Sequence, residues 1–260
     1  MKKHVEIIDN VISLDEREKI WNYIGNQTWR AMHEKKSPDT VFFKPNIDGW
    51  DYCEKNIKPN KYGCGTPRAP LARSESELIE KHKLIHDFWL KINEALGNKY
   101  ELNGCPEGMG PTDYYPEWKI KEGDPSLPSW IVFVNGRPNE WVHRSYGVHR
   151  DNPDLNEEGA FNILYCANLE WYPTWSGELV FYSEDPEGNS GDTQQFQREA
   201  NNQNRGFNVG WPSDIVANVP GRIVIYDSRT LHNTRPPSTV SQCMRVTLAF
   251  RARLKNEYTS

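Results

Sequence analysis

Two of the seven histidines stand where their neighbours make chemistry possible. In Tyr146-Gly147-Val148-His149-Arg150-Asp151-Asn152-Pro153 a β-rich run ends at His149, and Asn152-Pro153 forces a turn. Residues two apart in an extended segment share a face, so His149 and Asp151 project an imidazole and a carboxylate to one point. Far downstream, the apolar run Ile223 to Tyr226 and a polar turn deliver a second imidazole, His232. Two imidazoles and one carboxylate with open positions form the facial ligand set of non-haem Fe(II) centres. An isolated His-x-Asp is more often a hydrogen-bonded pair at a strand end. The downstream histidine, and an arginine beyond it, weigh against that alternative.

That arginine is Arg245, which begins Met244-Arg245-Val246-Thr247-Leu248-Ala249-Phe250-Arg251-Ala252-Arg253. Alternation gives Val246, Leu248 and Phe250 one apolar face, and Arg245, Thr247, Ala249 and Arg251 the other. A guanidinium inside a β structure is expensive without a counter-charge. A bound dicarboxylate supplies one, and the planar fork grips it with two parallel bonds. His82 and His86, four apart on a helix with no further ligand nearby, read as ordinary helix side chains.

The elements that must hold these groups are legible in outline. Val5 to Ile8 reads as a strand, and Ser13-Leu14-Asp15-Glu16 as a capping box opening a helix over 14–26. Ser74-Glu75-Ser76-Glu77 opens a second helix, whose stripe Leu78, His82, Ile85, Trp89, Ile92 and Leu96 ends at Gly97. Thereafter Trp130 to Val134, Glu140 to Val148, Ala160 to Ala167, Glu178 to Tyr182, Arg222 to Tyr226 and Cys243 to Arg253 read as strands bounded by turn residues. A further short strand is expected over 40–43. Residues 184–215 are polar and read as a surface insertion. The expectation is one domain over 1–260 of mainly β (α+β) class. A helical and loop layer, 1–127, packs on one sheet of a jelly-roll, cupin-like core of about eight strands, 128–254.

Composition narrows the class. Net charge is −5 over 260 residues, with no block of like charge, which argues against a general nucleic-acid or membrane-surface binder. Mean hydropathy is −0.80, and no apolar run approaches the ~20 residues that span a bilayer. The opening Met1-Lys2-Lys3-His4-Val5-Glu6 does not read as a signal peptide. Five cysteines without a Cys-x-x-Cys pair fit free thiols in a reducing, cytoplasmic setting and exclude a cysteine-based zinc module.

In its combination of His149-Arg150-Asp151, His232 and Arg245, the chain resembles the Fe(II)/2-oxoglutarate-dependent dioxygenases, nearest the prolyl-4-hydroxylase type. The likeness runs from about Trp141 to Phe250 and takes in Phe161-Asn162-Ile163-Leu164-Tyr165 and Trp175-Ser176-Gly177-Glu178-Leu179. It implies a double-stranded β-helix that binds Fe(II) through His149, Asp151 and His232. It further implies 2-oxoglutarate held by Arg245, with Tyr146 lining its pocket, O2 as oxidant and ascorbate as stimulant. Succinate and CO2 would be the coproducts of hydroxylating a C–H bond. Cys166 stands where oxygen-sensing relatives have a tyrosine, so Asn162, Tyr165 or Thr247 is expected to give the second carboxylate contact. Arg251, Arg150 and Trp175 are candidate substrate contacts, and Asp151, as a carboxylate, argues against halogenation.

Three readings stand at this point. One is a hydroxylase of an amino-acid or peptidyl (prolyl-type) side chain or a similar small polar metabolite. A second puts the same chemistry on a nucleobase or nucleotide, with Arg144, Arg150, Arg198, Arg205 and Arg229 lining an anion groove. The third is a cupin-like metal- or ligand-binding module without turnover. Regiochemistry and oligomeric state leave no trace in the sequence.

Overall fold

The computed structural model describes residues 5–27, 30–31, 67–102, 131–137, 148, 150–151, 159–184, 209–241 and 243–256. The strands expected over 40–43 and most of 140–148 lie outside these residues, as do Arg144, Arg198 and Arg205. What is described is mainly β, with antiparallel sheets and few helices.

In chain order the elements are β1 (Val5–Ile8), α1 (Leu14–Gly25), β2 (Arg30–Ala31), β3 (Pro67–Ala72), α2 (Glu75–Lys81), α3 (Lys83–Ala95) and β4 (Tyr100–Leu102). Then follow β5 (Val132–Arg137), β6 (Ala160–Cys166), β7 (Leu179–Glu184), β8 (Val209–Val216), β9 (Ile223–Asp227), β10 (His232–Thr234) and β11 (Arg245–Leu254). The larger sheet runs β1-β9-β6-β11-β5-β3-β2, with β4 also on β11. The smaller runs β10-β7-β8.

Strands β6, β9 and β11 are central and buried on both faces, which their β-branched and aromatic composition suits. One face packs on the helices. Ile20 and Ile24 of α1, Leu78 of α2, and Ile85, Phe88, Trp89 and Ile92 of α3 share a core with Val132, Ile163, Tyr165, Ile225, Val246, Leu248 and Phe250. Phe88 meets Tyr165 edge-on at 4.8 Å between ring centroids, and Trp89 lies 5.3 Å from Phe250. Toward the smaller sheet a second cluster joins Leu179, Phe181 and Val216 to Val224 and Tyr226. The polar residues of the larger sheet's inner face are therefore enclosed between two apolar zones.

Three expectations are corrected. The helix read through 75–96 breaks at His82, whose backbone (φ −135°, ψ 43°) leaves the helical region and whose Nδ1 lies 2.6 Å from the Tyr23 hydroxyl. The 184–215 insertion does not extend that far, since β8 pairs with β7. Its exposed Trp211 and Ile215 and its Pro212 belong to a sheet edge, where a missing N–H is tolerated. Finally, part of the expected helical and loop layer is strand, since β3, despite Pro67 and Pro70, forms a ladder with β5, with an irregularity at Pro70/Ala72.

The cap of α1 forms as its residues demand. The Glu16 amide donates to Ser13 Oγ at 3.4 Å, and the Ser13 amide donates to Glu16 Oε2 at 3.0 Å. Lys91 Nζ of α3 reaches the same carboxylate at 2.6 and 2.7 Å, tying the two helices together. Lys91 first, then Ser13, hold the Glu16 carboxyl down to about 2. Ser13→Ala should cost ~1 kcal/mol in chemical denaturation. Because the carboxyl is depressed, the stability that Glu16 lends is full above about 4.5 and lost as pH falls toward about 2. The difference between the protein and Glu16→Gln should shrink over that window; a constant difference would show that the charge contributes nothing.

Candidate functional site

The register of β11 decides which side chains share a cavity. Thr247 lies opposite Cys166, Ala249 opposite Leu164, and Arg251 opposite Asn162. On the far side of β6, Asn162 faces Tyr226 and Leu164 faces Val224. Cross-strand partners point the same way. Since Val246, Leu248 and Phe250 belong to the helix-side core, Arg245, Thr247, Cys166, Asn162, Arg251 and Tyr226 line the opposite, inner face.

Asp151 brings a carboxylate to this face. Its Oδ2 accepts from Asn162 Nδ2 at 2.9 Å and from the Tyr226 hydroxyl at 3.2 Å, and lies 3.5 Å from His232 Nε2. The same phenol oxygen is 3.2 Å from His232 Nε2. On the other edge of the imidazole, Nδ1 lies 2.9 Å from the Thr230 carbonyl. A carbonyl only accepts, so Nδ1 carries a proton, and Nε2 is the nitrogen turned toward Asp151. Burial, then the Asp151 charge, push the Tyr226 phenol well above its ordinary range, so it acts as a neutral donor.

This arrangement fits a cation. Two ligands at right angles on bonds of about 2.1 Å are about 3 Å apart, near the observed 3.5 Å. An imidazole whose far nitrogen is fixed by a backbone carbonyl is the usual state of a metal-binding histidine. Among the described residues no three His, Cys, Asp or Glu side chains gather at one point. The expected third ligand, His149, lies outside the described residues, as does Tyr146.

Along the same face Arg245 is 4% exposed, and its Nε has no hydrogen-bond partner among the described residues. Thr247 Oγ1, one alternation further, is also buried and has no partner among the described residues. Burial lowers the Arg245 pKa and raises that of the Cys166 thiol. A guanidinium and a hydroxyl so placed call for an anionic acceptor. The backbone around Arg245 is pinned by the Asn168 amide, which donates to the Met244 carbonyl at 2.9 Å and accepts from Val246 N–H at 2.8 Å. The stem of Arg245 passes against Gly177, where an added Cβ would lie 3.1 Å from Arg245 Cδ and 3.0 Å from the Trp171 ring.

The structure thus brings Asp151, His232, Asn162, Arg245, Thr247 and Arg251 to one face. Tyr165 is a correction: alternation sends its ring under α3, among Phe88 and the helix-side core, away from Arg245. Arg229 is another, because its guanidinium is engaged by Asp227 at 2.6 Å and is not offered to an anion groove. Arg150 is half-buried beside Asp151 in the chain, while Trp175 packs edge-on against Trp171 and Tyr172. Arg251 stacks over the Phe133 ring at 5.6 Å. Sequence reasoning missed Tyr226 and Gly177. Alternation from Val224 signals the first, and close approach to an arginine stem, visible only in three dimensions, explains the second.

Gly177 also has φ +82°, a region costly for other residues. Gly177→Ala should therefore lose ~1–3 kcal/mol, read as a lowered urea midpoint at unchanged slope. An unchanged midpoint would mean that the Arg245 stem is free to move aside.

No protein-family model matches the chain, and no curated protein matches it. Among solved structures it is similar to a prolyl-4-hydroxylase of Pseudomonas putida, at 12% identity, 98% of this chain and 95% of that one covered, and a TM-score of 0.44. It is similar to the viral collagen prolyl hydroxylase of Paramecium Bursaria Chlorella virus-1 in its 2-oxoglutarate complex, at 12% identity, 98% of both chains and 0.47. HygX of Streptomyces hygroscopicus, with nickel and 2-oxoglutarate bound, matches at 11% identity over 98% of this chain and 84% of that one, with 0.48. Identities this low lend no residue roles.

Proposed function

We propose that the chain is an Fe(II)- and 2-oxoglutarate-dependent dioxygenase built as one double-stranded β-helix domain over 1–260. The observation that carries the reading is the Asp151 carboxylate 3.5 Å from His232 Nε2, on the same inner face as the buried Nε of Arg245, which has no hydrogen-bond partner among the described residues. His149, Asp151 and His232 would hold the iron, and Arg245 with Thr247 would hold the far carboxylate of 2-oxoglutarate. Bound there, the iron and its cosubstrate supply the O2-driven oxidation of a C–H bond, with succinate and CO2 as coproducts.

The chain's own residues do the rest. Asn162 and Tyr226 donate to Asp151 Oδ2 and fix the carboxylate's direction. Thr230 keeps the His232 proton on Nδ1 and so presents a neutral nitrogen. Val224, Leu179 and Phe181 wall the site with apolar surface, which excludes water and strengthens each charged contact. Arg245 fixes the cosubstrate's distance and direction, since its stem is confined by Gly177.

The substrate class favoured is an amino-acid or peptidyl side chain, prolyl-type included, or a similar small polar molecule, with Arg251, Arg150 and Trp175 as contacts. The nucleotide reading loses support because Arg229 is already paired. No described helix is long and apolar enough to cross a membrane. A cytoplasmic setting is proposed on the free cysteines, of which Cys166 and Cys243 are described.

The test is succinate release from 2-oxoglutarate with Fe(II), ascorbate and O2, alone and with free amino acids, proline-containing peptides and nucleosides. Succinate should form, and His149→Ala and Asp151→Ala should abolish it. Absence of succinate from the intact protein would leave the non-catalytic cupin-like reading. Arg245→Ala should weaken 2-oxoglutarate binding by ~2–5 kcal/mol, about 30-fold or more. Tyr165→Phe should leave it unchanged, and the reverse pattern would put the carboxylate site on the wrong face.

A further inference from the structure

The four residues between β9 and β10 carry the chain from the larger sheet to the smaller. Connections ordinarily run over the surface, because their backbone groups have no ladder to satisfy them. This one is buried: Ser228 is 6% exposed, Arg229 8%, Thr230 7% and Leu231 1%. Its polar groups must therefore find partners inside the protein, and where they find them is informative.

The Ser228 carbonyl accepts the Asp151 amide at 3.0 Å, and the Thr230 carbonyl holds His232 Nδ1 at 2.9 Å. One turn thus fixes the backbone of one proposed ligand and the imidazole of the other. The turn is itself anchored, since the Ser228 amide and hydroxyl both donate to the Ala160 carbonyl at 3.0 and 3.1 Å. The Leu231 carbonyl accepts from the Tyr182 amide at 2.9 Å. Its shape is set by Asp227. That carboxylate takes the Arg229 amide at 2.8 Å and the Arg229 guanidinium through Nε at 2.9 Å and the terminal nitrogen at 2.6 Å, while the Asp227 carbonyl accepts the Thr230 amide at 2.9 Å.

We infer that Asp227 is a positioning residue: by clamping Arg229 inside the buried turn, it sets the spacing of the Ser228 and Thr230 carbonyls and through them that of Asp151 and His232. This rests on the iron reading proposed above. A carboxylate is required because only it offers two acceptors to the fork and a charge to the buried cation. Asparagine supplies one acceptor and no charge, which leaves a buried guanidinium half-paired and the turn free to shift.

The test is anaerobic titration of the metal-free protein with Ni(II) by calorimetry and with Co(II) by visible absorption. Asp227→Asn should bind Ni(II) about 10–100-fold more weakly and shift the Co(II) ligand-field bands. Asp9→Asn is the control. It breaks another two-point pair, Arg222 to Asp9 at 2.9 and 2.8 Å, between the residue that precedes β9 and the segment after β1, at the opposite end of β9 from the turn. It should lower stability and leave metal binding and spectrum intact. Should Asp227→Asn not fold, Arg229→Lys, which keeps the charge but loses the fork, should show the same weakening in a milder form. If the intact protein takes up neither metal, the iron reading falls and this inference with it. If the intact protein binds and the folded variants match it in affinity and spectrum, the iron reading stands and the clamp is only structural.

Discussion

A buried polar group without a partner is among the more expensive features a folded chain can carry, and among the described residues Arg245 carries one at Nε. The strand that bears Arg245 lies in the middle of the larger sheet, so the side chain has no route to water along its own edge. Everything near it is arranged to keep it in place. Asn168 brackets its backbone, Gly177 makes room for its stem, and the Cys166 thiol opposite Thr247 is kept neutral by burial. On the reading proposed above, a carboxylate of 2-oxoglutarate would supply the acceptor that this Nε lacks among the described residues.

The other polar groups of the inner face are, by contrast, tied to one another. Asp151 Oδ2 has two donors, the His232 imidazole has a carbonyl on one edge and faces a carboxylate on the other, and Tyr226 touches both. Networks of this kind in a low-dielectric interior fix geometry more strongly than they add stability. The helices contribute at one remove. Phe88 and Trp89 pack on Tyr165 and Phe250 from behind and so back β6 and β11, whose ladder sets Asn162 opposite Arg251. A rigid sheet carrying the polar groups is what a positioned centre needs.

How much of this the sequence discloses follows from the physics of each element. Strand periodicity is strict, so the faces of β6 and β11 can be written down from the residues alone, including Asn162, Leu164 and Cys166 on one side. The same rule excludes Tyr165 from the site; its hydroxyl suggested a carboxylate contact only when the alternation was set aside. Edge strands such as β8 are poorly marked, because one face meets solvent and Pro212 is harmless there. Tyr226 hides in an apolar run and is marked only by its phase. The buried turn after β9 reads in sequence as a polar loop, and only its enclosure reveals that its carbonyls orient side chains. The break at His82 leaves the stripe's spacing almost undisturbed, so no periodicity betrays it.

The central claim, that Asp151 and His232 face a common cation, is tested most directly by anomalous diffraction at the iron edge from crystals soaked anaerobically with Fe(II) and 2-oxoglutarate. The account predicts a single strong peak within bonding distance of both Asp151 Oδ2 and His232 Nε2, with cosubstrate density running from it toward Arg245. A peak elsewhere, or none at this pair under saturating iron, would contradict it.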